Sequence, residues 1–142
     1  RPDGPQARDM KSRALNKLRR FEEARLDIGN SHAAGDFARE HLHWLDANPP
    51  VCQHGDFHPG NLVYTPQGHI AVIDFKRWDA GDPVEEFIKL QSFTIQSCVP
   101  FARRQLDGYI GGPPDIAFWR GLAVQAAVST LYAIRWGVPF GP

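Results

Sequence analysis

At 142 residues the chain has the length of one domain and enough material to bury a core. Apolar residues make up 42% and charged residues 23%, a balance that excludes an intrinsically disordered segment. Sixteen basic residues cancel sixteen acidic ones, so no global field recruits nucleic acid or an anionic membrane.

The lead-in RPDGPQARDMKS has no apolar h-region and so reads as no signal peptide. Its polar, proline-containing part, Arg1 to Ala7, precedes a predicted helix from Arg8 to Ile28. Met10, Ala14, Leu18, Phe21 and Ile28 recur there at helical spacing. Lys11, Arg13, Lys17, Arg19 and Arg20 form a basic face, which reads as a solvated helix surface. Gly29-Asn30 ends the helix, since both residues tolerate the left-handed conformation. A second helix is expected from Gly35 or Asp36 to Ala47, capped by Asp36 and stopped by Asn48-Pro49-Pro50. Phe37, Ala38, Leu42 and Leu45 make its buried stripe. His32, His41 and His43 carry no carboxylate pattern around them, and H-x-H on a helix points its rings apart. They read as surface or capping histidines.

The next stretch, VCQHGDFHPGNLVYTPQGHIAVIDFKRWDAGDPVEEFIKL, organises the chain. It sets His54, Asp56, His58 and Asn61 in one Pro/Gly-containing loop. A hairpin is predicted to follow: Leu62 to Tyr64, a Thr65-Pro66-Gln67-Gly68 turn, then His69 to Phe75. Because a hairpin brings its outer ends together, Asp74 is expected to return beside Asn61. Two carboxylates and an amide would then converge. Such oxygens suit Mg²⁺, which takes few protein ligands and keeps several waters, and phosphoryl transfer also needs a carboxylate to orient the attacking hydroxyl.

Lys76 and Arg77 follow Asp74 and are candidates for phosphate or substrate contacts, or for balancing nearby carboxylates. Asp82 is a structural cap before Pro83, with Glu85 three residues past it. A helix from Val84 to Ser97 carries Phe87, Leu90 and Phe93 toward a core, and Pro100 opens another to about Ile110. After Gly111-Gly112-Pro113-Pro114, Asp115 to Trp136 is nearly all apolar. Arg120 and Gln125 interrupt it, so it reads as a buried central helix and not a membrane span of about 20 residues. Trp119 and Tyr132 on it are candidates to line a substrate pocket, with core packing the default expectation. Cys52 and Cys98 form no C-x-x-C pattern and no disulfide framework, which suits reduced thiols in the cytoplasm.

The ordered set HGDFHPGN, AVIDF and GDP resembles the catalytic core of the aminoglycoside phosphotransferase and choline kinase-like family. That family shares its fold with protein kinases, whose loop reads H-R-D-x-x-x-x-N and whose metal aspartate opens D-F-G. Here Gly55 replaces the arginine, Lys76 replaces the glycine, and Glu86-Phe87-Ile88 stands where the family has D-L-A. The resemblance implies a mostly helical α+β fold, the C-terminal lobe of a kinase-like phosphotransferase with a small hairpin at its active site. It implies transfer of the γ-phosphate of ATP or GTP to a hydroxyl of a small molecule. Asp56 would be the catalytic base, His54 and His58 would support the loop, and Asn61 and Asp74 would hold Mg²⁺.

Neither G-x-G-x-x-G nor G-x-x-x-x-G-K-[ST] occurs, and the first 50 residues read as helix and not sheet. The N-terminal nucleotide-binding lobe is therefore expected on another segment or another chain. The absent initiator Met and the ending PFGP fit a fragment of a longer protein, read here as one domain over residues 1–142. The isolated lobe is expected to be inactive and to self-associate through its exposed interface. Two rival readings stand beside the kinase: a non-catalytic assembly module, and a metal-dependent hydrolase using the same carboxylates.

Overall fold

The structure is a computed structural model that describes residues 9–45, 49–90 and 94–140. The lead-in Arg1 to Ala7, the helix end at Ala47, the stop at Asn48 and the core position Phe93 lie outside the described residues.

Helix α1, Met10–Glu23, begins at Asp9, whose carboxylate accepts from the Lys11 N–H at 3.0 Å and the Ser12 hydroxyl at 2.6 Å. Met10, Ala14, Leu18 and Phe21 are its buried stripe. It ends sooner than the sequence suggested. Arg25 turns the chain at φ 51°, so that Leu26 packs on the core while Ile28 is left exposed. Helix α2, Ser31–Glu40, likewise starts before Asp36, which is therefore no cap. The Ser31 hydroxyl accepts from the Ile28 N–H at 3.2 Å and closes the turn. The chain then tightens into a 3₁₀ turn at Leu42–Leu45.

Helix α4 covers Val99–Ile110 and ends at Gly111, whose φ of 78° is the left-handed stop that glycine supplies. Helix α5, Ile116–Gly137, starts at Asp115, which accepts from the Phe118 N–H at 2.8 Å. It is the central helix, packed on both α1 and α2, although Trp119, expected in the core, is 43% exposed on its first turn. Its Val124, Val128 and Leu131 join Met10, Leu18, Phe21, Ala38 and Leu45 in one core cluster. Its Leu122 joins a second with Val84, Phe87, Leu90, Ala102 and Leu106. One helix thus spans both cores. No helix among the described residues is long and apolar enough to cross a membrane.

Among the described residues the β structure is two antiparallel pairs. The expected hairpin is present as β2, Leu62–Tyr64, and β3, Ile70–Val72, in the register Leu62 to Val72, Val63 to Ala71 and Tyr64 to Ile70. The second pair, β1, Val51–Gln53, with β4, Asp79–Gly81, was not expected. It brackets the central stretch and ties its two ends together. The segment from Pro83 winds unevenly: 3₁₀ at Pro83–Phe87, wide π-type turning at Leu90 and Thr94, and α3 at Ile95–Ser97. The smooth helix expected from Val84 to Ser97 is replaced by these changes of pitch, while Phe87 and Leu90 remain buried.

Candidate active site

The site is built by anchoring the loop between β1 and β2. Its backbone is extended and turned, so its N–H groups need acceptors from elsewhere. Glu86 supplies most of them. Its carboxylate accepts from the His54 N–H at 2.8 Å and the Gly55 N–H at 3.2 Å. Burial raises the Glu86 pKa above the ordinary 4.5, and these backbone donors pull the other way. In the sequence Glu86 stands as the acid where the family has the aspartate of D-L-A, and its hold on the loop is seen only in the fold.

His54 is buried and staples the loop to the hairpin. Its Nδ1 accepts from the Asp56 N–H at 3.3 Å, which leaves Nε2 to donate to the Ile73 carbonyl at 2.8 Å. Both bonds require the neutral ring protonated on Nε2. Gly55 sits at φ 77°, and a Cβ there would lie 2.3 Å from the Arg77 carbonyl oxygen. The loop and the turn after Asp74 approach too closely for any side chain, the physical reason for glycine between His54 and Asp56.

Asp56 is half-buried. Lys89 Nζ lies 3.2 Å from its Oδ1 and Arg77 Nη1 lies 3.4 Å from its Oδ2. The Lys89 contact is an ion pair and not an aligned hydrogen bond, and no described donor hydrogen-bonds to that buried oxygen. Asn61 donates from Nδ2 to the Asp56 carbonyl at 2.9 Å, leaving its amide oxygen uncommitted. The Asn61 carbonyl accepts from the Ile73 N–H at 3.0 Å, which extends the hairpin ladder to the residue before Asp74. The hairpin therefore brings Asp74 back beside Asn61. Asp74 itself is exposed in the left-handed conformation, φ 63°, which aspartate tolerates better than most residues. No described residue pairs with its carboxylate.

His58 caps the 3₁₀ turn Pro59–Asn61, its Nδ1 accepting from the Gly60 N–H at 3.1 Å. Asp82 is buried and accepts from the Val84 N–H at 2.8 Å, capping the turn that carries Glu86. Buried Gln53 donates to the Asp82 carbonyl and locks that cap to β1. Lys76 is exposed, and Arg77 balances Asp56. Glu86 and Lys89 lie three residues apart in a helical segment and so share a face. Their spacing puts them together, but only the fold shows that this face meets the loop.

The donor set fits Mg²⁺ in kind. Asn61 and Asp74 offer hard oxygens, neither consumed by a described partner, and Mg²⁺ needs only one or two protein oxygens beside water and phosphate. His32, His41 and His43 stay apart from this site. His41 caps onto the Phe37 carbonyl and packs against Phe37 and Trp44, His43 reaches the Glu40 carbonyl, and His32 lies near Asp27. Among the described residues, no three His, Cys, Asp or Glu side chains gather in a metal-holding group.

A family model described as a phosphotransferase enzyme family matches residues 1–122 of this chain. Among solved structures, a macrolide 2′-phosphotransferase type I superposes with a TM-score of 0.59 at 17% identity. The match covers 97% of this chain and 46% of that one, so this chain spans less than half the length of its neighbour. At that identity the likeness carries the fold: a mostly helical α+β lobe of the kinase-like type. A search of curated proteins returned no match.

Proposed function

The chain belongs to the phosphotransferase enzyme family, and we propose that it forms the catalytic lobe of a kinase that phosphorylates a hydroxyl of a small molecule from ATP or GTP. The observation that carries this reading is the anchoring of one loop. Glu86, His54 and Asn61 together fix the backbone around Asp56, and the hairpin returns Asp74 to the same end.

In this reading Asp56 orients the acceptor hydroxyl and receives its proton. Asn61 and Asp74 hold the metal, and Mg²⁺, when bound, neutralises charge on the phosphate oxygens. Rigid placement of the base is the larger part of the work, since phosphoryl transfer asks little covalent chemistry of the protein. Lys76 and Arg77, beside Asp74, stand where cations would meet phosphate. A second lobe, on the same or another chain, would seat the rest of the nucleotide. The exposed free thiols Cys52 and Cys98 support a reducing, cytoplasmic setting.

The test uses the protein as encoded, with MgATP and a panel of hydroxyl acceptors: a macrolide, an aminoglycoside, choline and a hexose. The macrolide belongs there because the structural neighbour is named for one. Asp56→Asn should lower turnover by roughly 10²–10⁴-fold, the worth of a positioned base. Asp74→Ala should abolish Mg²⁺-dependent ATP binding in calorimetry while leaving the far-UV dichroism unchanged. An Asp56→Asn variant turning over at the wild-type rate would sink the assignment.

A further inference from the structure

Two cations flank Asp56, and they are not equivalent. Lys89 rises from the same helical segment as Glu86 and lies beneath the loop, its side chain 29% exposed. Arg77 meets the other carboxylate oxygen from outside, its side chain 65% exposed. Oδ1 is the inner oxygen: it is buried, and no described donor hydrogen-bonds to it, so the Lys89 ammonium compensates its burial. Oδ2 is the outer one, and the exposed Arg77 contact over it is screened by water and readily displaced.

We propose that Lys89 is a positioning residue that holds Oδ1 of Asp56 and so leaves Oδ2 as the oxygen that takes the acceptor proton. Glu86 fixes the backbone of the loop, and Lys89, one helical turn on, fixes the side chain it carries. The acceptor hydroxyl displaces Arg77 and gives its proton to Oδ2. Its oxygen bonds the γ-phosphorus, and the bond to the bridging oxygen breaks with its electron pair leaving on the nucleoside diphosphate. Without Lys89 the inner oxygen lies buried without a counter-charge, and the carboxylate turns outward, away from the geometry that the transfer needs.

This inference rests on the kinase reading, and the experiment separates the two. Steady-state rates are measured on the protein as encoded, with MgATP and the best acceptor of the panel, or with water as acceptor if none is phosphorylated. Lys89→Met should lower kcat by about 10²-fold, the scale of an ångström of misplacement at a reacting group, with KM for MgATP within about twofold of wild type. Lys89→Arg should restore most of the rate. If Lys89→Met melts early, Lys89→Gln replaces it. Lys89→Met in an Asp56→Asn background should have no further effect. Wild-type kcat in Lys89→Met together with an inactive Asp56→Asn overturns the role of Lys89 alone; an active Asp56→Asn overturns the kinase reading beneath it.

Discussion

Glu86 and His54 between them satisfy the backbone N–H groups of residues 54 to 56: Glu86 accepts from 54 and 55, and His54 Nδ1 accepts from 56. Buried donors left without partners cost about 1–3 kcal/mol each, so Glu86→Ala should destabilise the chain by about 2 kcal/mol in urea unfolding, since part of this loop stays solvated. The carboxylate also sets a pH dependence. Its folded pKa is raised by burial, so the folded state holds the proton more tightly than the unfolded one. The stabilising contribution is full below the ordinary value of 4.5 and is lost as pH rises through the raised folded value. Unfolding free energies taken from pH 4.5 upward should show that falling component in wild type and lack it in Glu86→Gln. Identical slopes in the two proteins would remove this account of Glu86.

The segment that begins with the 3₁₀ turn at Pro83 uses two adjacent acids in opposite directions. Glu86 faces the loop, while Glu85 faces α1, with Arg13 at 3.1 Å and Lys17 at 4.0 Å. The basic stripe of α1 was expected to be solvated throughout, and for Arg13 and Lys17 that is wrong. Their partner lies 72 residues from Arg13 along the chain, beyond any local pattern. The same limit explains the other misses. The hairpin was legible because apolar strands flank a Thr-Pro-Gln-Gly turn, whereas β4 is Asp-Ala-Gly, which no strand preference would select. The loop residues were legible from their order, but their anchors Glu86 and Lys89 were not, since a helix face shows no partner until the fold supplies one. Burial lowers the Lys17 pKa, with Glu85 opposing and Arg13 adding to the shift. Removing that charge should therefore cost nothing, whereas removing its counter-charge should cost much. Lys17→Met should melt at or above the wild-type temperature. Glu85→Gln, which leaves two cations facing each other, should lose about 2 kcal/mol, below the fully buried range because Arg13 is part-exposed. Equal melting temperatures for the two variants would show that the cluster carries no net electrostatic weight.

At the scale of the whole molecule, the two cores sit around α5, and the hairpin stands away from both. Tyr64, Ile70 and Val72 are 71%, 66% and 37% exposed, and on the other face Val63 and Ile73 are each 44% exposed. Both faces of a two-stranded ribbon are thus apolar and open, with Phe75 and Trp78 exposed just beyond it. A hairpin of this kind is marginal in water without something packed on it, and contiguous apolar surface on a soluble protein marks a contact site. In the kinase reading a nucleotide-binding lobe would cover it. Produced alone, this chain should use the same surface to self-associate. Tyr64 and Ile70 are directly paired across the strands, so Tyr64→Lys with Ile70→Glu replaces the apolar pair by an oppositely charged one that preserves the register. Sedimentation should show the wild-type chain gaining mass with concentration and the double variant staying monomeric, at an unchanged melting temperature. A wild-type chain that sediments as a monomer at every concentration would mean that these side chains are tolerated in water. The hairpin would then need no covering lobe, and the case for a second lobe would rest on the family resemblance alone.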